Sequence, residues 1–451
     1  MKKRTLFMLI CISIVMLLTL ISCGKPKSAQ ELYEKVDKEM SKLNSYEMDM
    51  ELEMTFYMDS YKISSEATGH GIEDGLVSGD YYFYQEMNTT VEAKGLSLNQ
   101  TQKNVEAYDN GNYFILNESD GSSQKLYSPL TAQEALDYRA DNDMDTLDII
   151  NDCTDKTFSQ KEDGTWEMSC SGYTKSAIED MEKGMGLDND MLDAEIMDMK
   201  MSLTADKDFR ATTITLELVF EKKNNAPTVS ITINFSKYDA AERLTNQLNT
   251  ADYTQVADIR LLTDVEDMLQ ERIESEQGSF AMDLTQTVRS STGTQSSTYK
   301  ENNKISYGEG DSGYFYDIDA TISNQKYDIS YQKGVQTVQS GTQKKTNAQT
   351  EQEARAYIES LINSGSYDPG IVSKIEKRGE GVYRFTCNPA TAAYESYYAN
   401  MGGKFTSANQ TITVTIKEGR IIKIQNVILA QGSVVNYGSV SLTVNTTVTF
   451  D

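Results

Sequence analysis

The alternation between residues 46 and 56 constrains this chain more than any other stretch. Tyr46, Met48, Met50, Leu52, Met54 and Phe56 alternate with Glu47, Asp49, Glu51, Glu53 and Thr55. On a helix these side chains would scatter around the circumference. On a strand, the first set lies on one sheet face and the acidic set points to water. The same period returns in Met197, Met199, Met201 and Leu203, in Ile214, Leu216, Leu218 and Phe220, and in Val229, Ile231, Ile233 and Phe235. It returns late in the chain in Ile412, Val414 and Ile416, then in Val440, Leu442, Val444, Val448 and Phe450. Turn signals such as Asp109-Asn110-Gly111-Asn112 and Glu418-Gly419 separate such runs. Long, half-buried, antiparallel strands are expected.

Helical spacing is confined to shorter stretches. Leu32, Val36, Met40 and Leu43 recur every three or four residues, and Val265, Leu269 and Ile273 repeat that stripe. Further helices are expected over 133–150, 177–185, 353–362 and 392–401. The fold class that follows is α+β: two copies of a large curved antiparallel sheet, with helices covering its concave apolar face.

Two copies are expected because the second half restates the first. Trp166-Glu167-Met168-Ser169-Cys170 corresponds to Tyr383-Arg384-Phe385-Thr386-Cys387. Upstream, Thr131 to Ala135 with Tyr138 corresponds to Thr350 to Ala354 with Tyr357, and Ser45 to Asp49 corresponds to Ser279 to Asp283. Three matches in one order argue for a duplicated domain of about 200 residues. The copies are drawn at 29–245 and 255–451.

The N-terminus reads differently. Lys2, Lys3 and Arg4 precede an uncharged apolar run from Leu6 to Ile21, the pattern of a signal peptide. It ends in Leu20-Ile21-Ser22-Cys23-Gly24, which resembles the lipobox of bacterial lipoproteins. That resemblance implies a leader over 1–22, diacylglycerol on Cys23 and a polar tether over 23–28. The membrane is then a partner through the N-terminal lipid, and the chain sits on the extracytoplasmic face of the cell membrane. Several acyl chains, at about 0.8 kcal/mol per buried CH₂, hold such a protein without a spanning helix.

The first helix running straight into a long alternating strand (Leu32 to Phe56, and again Val265 to Val288) resembles the LolA/LolB-like fold, also found in LppX/LprG-like lipoproteins. The resemblance covers both copies. It implies a cavity between sheet and helices that accepts acyl chains or another apolar small molecule. No catalytic or docking motif accompanies it.

Charge and composition exclude other classes. The net charge is −26, and removal of three leader cations takes it from 42 − 68 to 39 − 68, or −29. Such a surface repels phosphate backbones, so nucleic acid is not a partner. His70 is the single histidine, placed in a loop-like Thr68-Gly69-His70-Gly71, so any Ser-His-Asp triad would depend on it. Cys153, Cys170 and Cys387 remain after the leader and Cys23, an odd and widely spaced set that is no disulfide framework. Cys170 and Cys387 share strand parity with apolar neighbours and are expected to be buried. Asp141, Asp143 and Asp145 resemble a calcium loop in spacing but carry Thr146 where the turn glycine belongs. Glu51 and Glu53 sit on a solvent face, away from any cleft that glycoside hydrolysis would need.

The expected function is non-enzymatic, with no cofactor and no metal: a lipoprotein that binds, carries or senses a lipid or other apolar ligand. The candidate cavity residues are Met48, Met50, Leu52, Met54, Met199, Met201, Leu216 and Leu218. Methionine suits surfaces that accept varied apolar ligands, although it also fills ordinary cores. The alternative is a scaffold lipoprotein whose cores are packed and hold no ligand.

Overall fold

The fold was examined in a computed structural model describing residues 25–58, 61–76, 79–93, 96–119, 122–142, 152–178, 196–221, 226–244, 248–275, 277–290, 296–310, 312–389, 404–434 and 438–451. The first half runs α1 (Ala29–Met40), β1 (Ser45–Met58), β2 (Tyr61–Asp74), β3 (Tyr82–Ala93), β4 (Leu96–Asp109), β5 (Asn112–Ser119) and β6 (Ser122–Pro129). It continues with α2 (Ala132–Asn142), β7 (Cys153–Gln160), β8 (Trp166–Tyr173), β9 (Ile196–Ala205), β10 (Ala211–Phe220) and β11 (Thr228–Ser236). A short strand, β12 (Thr254–Gln255), leads to α3 (Leu261–Glu274), β13 (Gln277–Ser290), β14 (Ser296–Gly310), β15 (Gly313–Ile322), β16 (Gln325–Gln332), β17 (Val335–Ser340) and β18 (Gln343–Ala348). The chain closes with α4 (Glu351–Asn363), β19 (Val372–Gly379), β20 (Val382–Cys387), β21 (Lys404–Lys417), β22 (Arg420–Val434) and β23 (Gly438–Phe450).

Helix, six strands, helix and five strands therefore occur twice in the same order. The sheets repeat too. One runs β12-β6-β5-β4-β3-β2-β1-β11-β10-β9-β8-β7, and the other runs β18-β17-β16-β15-β14-β13-β23-β22-β21-β20-β19. With β12 set aside, the two orders coincide strand for strand. The fold is α+β with two large, open antiparallel sheets.

Local chemistry explains why the helices begin where they do. Ser28 caps α1, its hydroxyl accepting from the Glu31 amide at 3.1 Å. Buried Ala29, Leu32, Tyr33 and Val36 then form the stripe that faces the core. Thr350 and Glu353 form a capping box on α4: Thr350 Oγ1 accepts from the Glu353 amide at 3.2 Å, and Glu353 Oε2 accepts from the Thr350 amide at 2.6 Å. Thr131 and Glu134 make the same reciprocal pair at α2, at 3.3 and 2.9 Å. Hairpins close as their residues dictate. Asn110 and Gly111 both take positive φ (50° and 78°), as do Glu418 and Gly419 (54° and 74°), the geometry of a tight two-residue turn.

Two compact units emerge from the contacts, Met1–Tyr108 with Arg139–Asn246, and Asp109–Tyr138 with Gln247–Asp451. In the first unit the core gathers on the β7–β11 half of the sheet, under α1. Leu32 and Val36 meet Trp166, Met168, Met199, Met201, Leu203 and Ile214 there. In the second unit, β5 and β6 join the elements after residue 247. Their connection to the rest is polar and buried: the Val256 amide donates to the Tyr127 carbonyl at 2.9 Å and the Ala257 amide to the Ile375 carbonyl at 3.0 Å. β12 pairs in parallel with β6 through Leu126 and Tyr127.

Several sequence expectations are corrected. Met197 is 55 % exposed, and Ile196 takes the inward place instead. The cause is an irregularity between Val219 and Phe220, which shifts the β9–β10 register so that Phe220 faces Ile196. Glu47 is buried, not solvated, and its carboxylate accepts from Lys237 Nζ at 2.9 Å. His70 stands within β2 and not in a loop, its Nδ1 at 2.8 Å from Asp49 Oδ1 on the neighbouring strand. Cys170 and Cys387 are both buried, at 2 % and 0 % exposure, on the equivalent strands β8 and β20. The expected helix over 133–150 is present as Ala132–Asn142. Its remainder lies outside the described residues, as do Asp143, Asp145, the stretch 392–401 and most of 177–185.

Candidate functional site

The eight cavity candidates share one sheet face, and register fixes their neighbours. One row across the strands reads Met201, Leu216, Ile231, Leu52 and Ala67. The next reads Met199, Leu218, Val229, Met54, Ser65, Val91 and Leu98. Antiparallel pairing sets neighbours on a row about 5 Å apart, so each row is a continuous apolar strip.

The strip divides by burial. Met199, Met201 and Leu218 are closed into the core, at 0 %, 3 % and 6 % exposure. Met48, Met50, Leu52, Met54 and Leu216 are half-exposed. Cys23 lies outside the described residues.

What sets the half-exposed part apart is its floor. Met48 lies opposite Gly71, Met50 opposite Gly69 and Leu52 opposite Ala67. With no side chains on β2 at 69 and 71, the methionines of β1 lie over bare backbone. A Cβ on Gly71 would stand 2.8 Å from Met48 Cγ, and one on Gly69 would stand 3.1 Å from Met87 Cγ and 3.2 Å from Met50 Cε. Three flexible thioethers therefore converge over two glycines, a surface that reshapes easily around an apolar guest.

The two ends of this region differ. At the Ser45 end, Tyr46 donates through its hydroxyl to Glu73 Oε2 at 2.6 Å, and Arg139 lies 3.7 Å from the same carboxylate oxygen. Glu73 is buried, so Arg139 supplies the charge that such burial requires. At the opposite end, Leu96 and Leu98 on β4 are 72 % and 71 % exposed, and Leu98 continues the row through Val91. Sequence reasoning missed both leucines. Their alternation with Ser97 and Asn99 was a strand signal, but it was too short to separate from a polar stretch.

The sister face in the second copy has another character. Equating Ser45–Asp49 with Ser279–Asp283 aligns Met48 with Met282, Met50 with Leu284 and Leu52 with Gln286. Register then places Asn303, Glu301 and Tyr299 where the first copy has Gly71, Gly69 and Ala67. Polar side chains thus stand where the first sheet has almost none.

Comparison with known proteins adds little. No family model matches the chain, and no curated protein matches it in sequence. Among solved structures, a domain described as an outer membrane lipoprotein-sorting protein domain from Vibrio parahaemolyticus is similar at 12 % identity, over 42 % of this chain and 92 % of that one, with a TM-score of 0.17. A protein of unknown function from Nostoc punctiforme is similar at 9 % identity, over 93 % and 98 % of the two chains, with a TM-score of 0.13. Pseudomonas aeruginosa OprD is similar at 8 % identity over 90 % and 94 %, with a TM-score of 0.15. At these scores none carries an argument. Among the described residues no helix is long and apolar enough to cross a membrane.

Proposed function

We propose that this chain is a non-enzymatic lipoprotein of the cell envelope, anchored through Cys23, that binds a lipid or other apolar ligand on the inner face of its first sheet. One observation carries the reading: half-exposed Met48, Met50 and Leu52 lie over the side-chain-free floor of Gly71, Gly69 and Ala67. An ordinary packed core fills such space with branched side chains. A floor of glycine under methionine leaves a shallow, adaptable groove, and exposed Leu96 and Leu98 give it an apolar lip. Met199, Met201 and Leu218 take no part in the groove and hold α1 on the sheet.

The scaffold reading is favoured by that closed part alone. The two are separated on one variant, Met50→Lys, by thermal stability and by native mass spectrometry for co-purified lipid. Loss of lipid with a stable fold supports the groove. Loss of stability, with no lipid on the unaltered protein, decides for the scaffold, because a buried unpaired charge chiefly destabilises. The anchor is tested separately: Cys23→Ala releases the protein from membranes, and unchanged membrane association refutes the lipid.

A further inference from the structure

The second sheet carries a polar cluster at the positions where the first carries its glycine floor. Tyr299 donates through its hydroxyl to Glu301 Oε2 at 2.7 Å, and Asn303 Nδ2 donates to Glu301 Oε1, also at 2.7 Å. Among the described residues these are the partners of Glu301, and neither is a cation. The carboxylate is half-buried and so retains its negative charge without a neutralising neighbour. Asn303 is 97 % buried by the complement of its 3 % exposure, and its Oδ1 has no donor. A buried carbonyl left unmet costs on the order of 1–3 kcal/mol, which calls for an explanation at a position that glycine occupies in the other copy.

Counting valences gives the ligand's chemistry. Each carboxylate oxygen of Glu301 has one lone pair taken and one left, Asn303 Oδ1 is open, and the Tyr299 oxygen donates its only hydrogen to Glu301. Every remaining valence is therefore an acceptor. The Tyr299 phenol is held protonated, pushed up to about 12 by that hydrogen bond and by burial, so it stays a donor to Glu301 at neutral pH. The partner must bring hydrogens and positive charge.

Beside this cluster lies a hollow of about 400 Å³ lined by Gln286, Val288, Ser297, Thr298, Tyr299 and Ser323. Its wall is hydroxyl and amide with one aromatic face, the composition that meets a hydroxylated ring and not an acyl chain. Tyr357, from α4, stands in the same aromatic group through Tyr316, with ring centroids 5.7 Å apart.

We infer that Tyr299, Glu301 and Asn303 form a second site that binds a hydroxylated primary amine of the amino-sugar class, its ammonium on Glu301 and Asn303 and its hydroxyls in the adjoining hollow. An ammonium offers three N–H donors, which matches the open acceptors. The charge of −26 raises the local concentration of any cation. This site is independent of the apolar groove on the first sheet, so either can fail without the other.

The test is isothermal titration of the full chain with glucosamine at physiological salt, with N-acetylglucosamine as the uncharged comparison. Glucosamine should bind at least about tenfold more tightly, the size of a lost charge-assisted contact. Equal binding of the two, or none of glucosamine, overturns the site. Glu301→Gln keeps shape and removes charge, and should weaken glucosamine about tenfold. Glu66→Gln removes one exposed charge from the first sheet and should leave binding unchanged. Equal loss in both variants would mean general attraction to an acidic surface and would also overturn it. Should Glu301→Gln not fold, the sugar comparison on the unaltered protein still decides.

Discussion

Gln124 Nε2 donates to the carbonyl oxygen of Val372 at 2.8 Å, joining the middle of β6 to the start of β19 across nearly 250 residues of sequence. The same amide group also donates to the Pro369 carbonyl at 2.7 Å, and Gln124 itself is 4 % exposed. Gln124→Leu keeps the bulk and leaves two carbonyls without their donor. The expected cost is about 1–3 kcal/mol to the second unit, read by denaturant unfolding with far-ultraviolet circular dichroism. An unchanged midpoint would show that water replaces the amide at no cost.

The glycine floor makes a prediction of opposite design, by filling and not removing. Gly71→Val sets new carbon against Met48 and should abolish lipid loading while costing about 1–3 kcal/mol. Pairing it with Met48→Ala restores the room and should restore stability. Lipid loading that survives Gly71→Val would move the ligand elsewhere.

Helix capping gives a matched pair of tests. Thr350→Ala removes the hydroxyl that accepts from the Glu353 amide, and Thr131→Ala does the same at Glu134. Each should cost about 1 kcal/mol. The Glu353 and Glu134 carboxyls, held below the usual range by bonds from those threonines, should move back up in the variants, as followed by carbon-detected NMR titration.

Alkaline pH should unfold the protein early. Burial pushes the Cys387 thiol from its ordinary 9.0 to about 12, and burial raises the Tyr238 phenol from 10.0 to about 12. Both groups are neutral when protonated, so their raised values favour the folded state fully below about pH 9. That contribution is lost as pH rises through 12, because the unfolded chain ionises first. The melting temperature should fall steadily over this window, and less steeply for Cys387→Ala. At neutral pH, a thiol reagent should label Cys387 only after unfolding.

Much of this architecture was legible in the chain. The period of 2 from Tyr46 to Phe56 placed β1 and its inner face, because nothing interrupts the pleat there. Thr131 and Thr350 announced two helix starts through their Glu three residues on. Parity failed at Met197, where the register shifts, since an irregularity in the partner strand leaves no mark in the sequence of β9. Glu47 was misplaced for a similar reason: its pairing with Lys237 depends on chain returning from 190 residues away. The candidate site was legible as a set of side chains but not as a surface. Which methionines stay open depends on Gly69 and Gly71 lying opposite, a matter of register that no single strand reveals.

The segment Asp109–Tyr138 belongs with the residues after 247, and this has a consequence for inheritance. Ser128 Oγ accepts from the Ile259 amide at 3.2 Å, with both residues fully buried. A polypeptide severed between the copies would leave this piece on the wrong fragment, so the later fragment would begin life with an open seam. Only when both fragments met would the seam close, as in enzyme complementation from split genes. What arose as two interchangeable copies has thus become one indivisible hereditary unit, in which neither half can be lost, shuffled or expressed alone without cost.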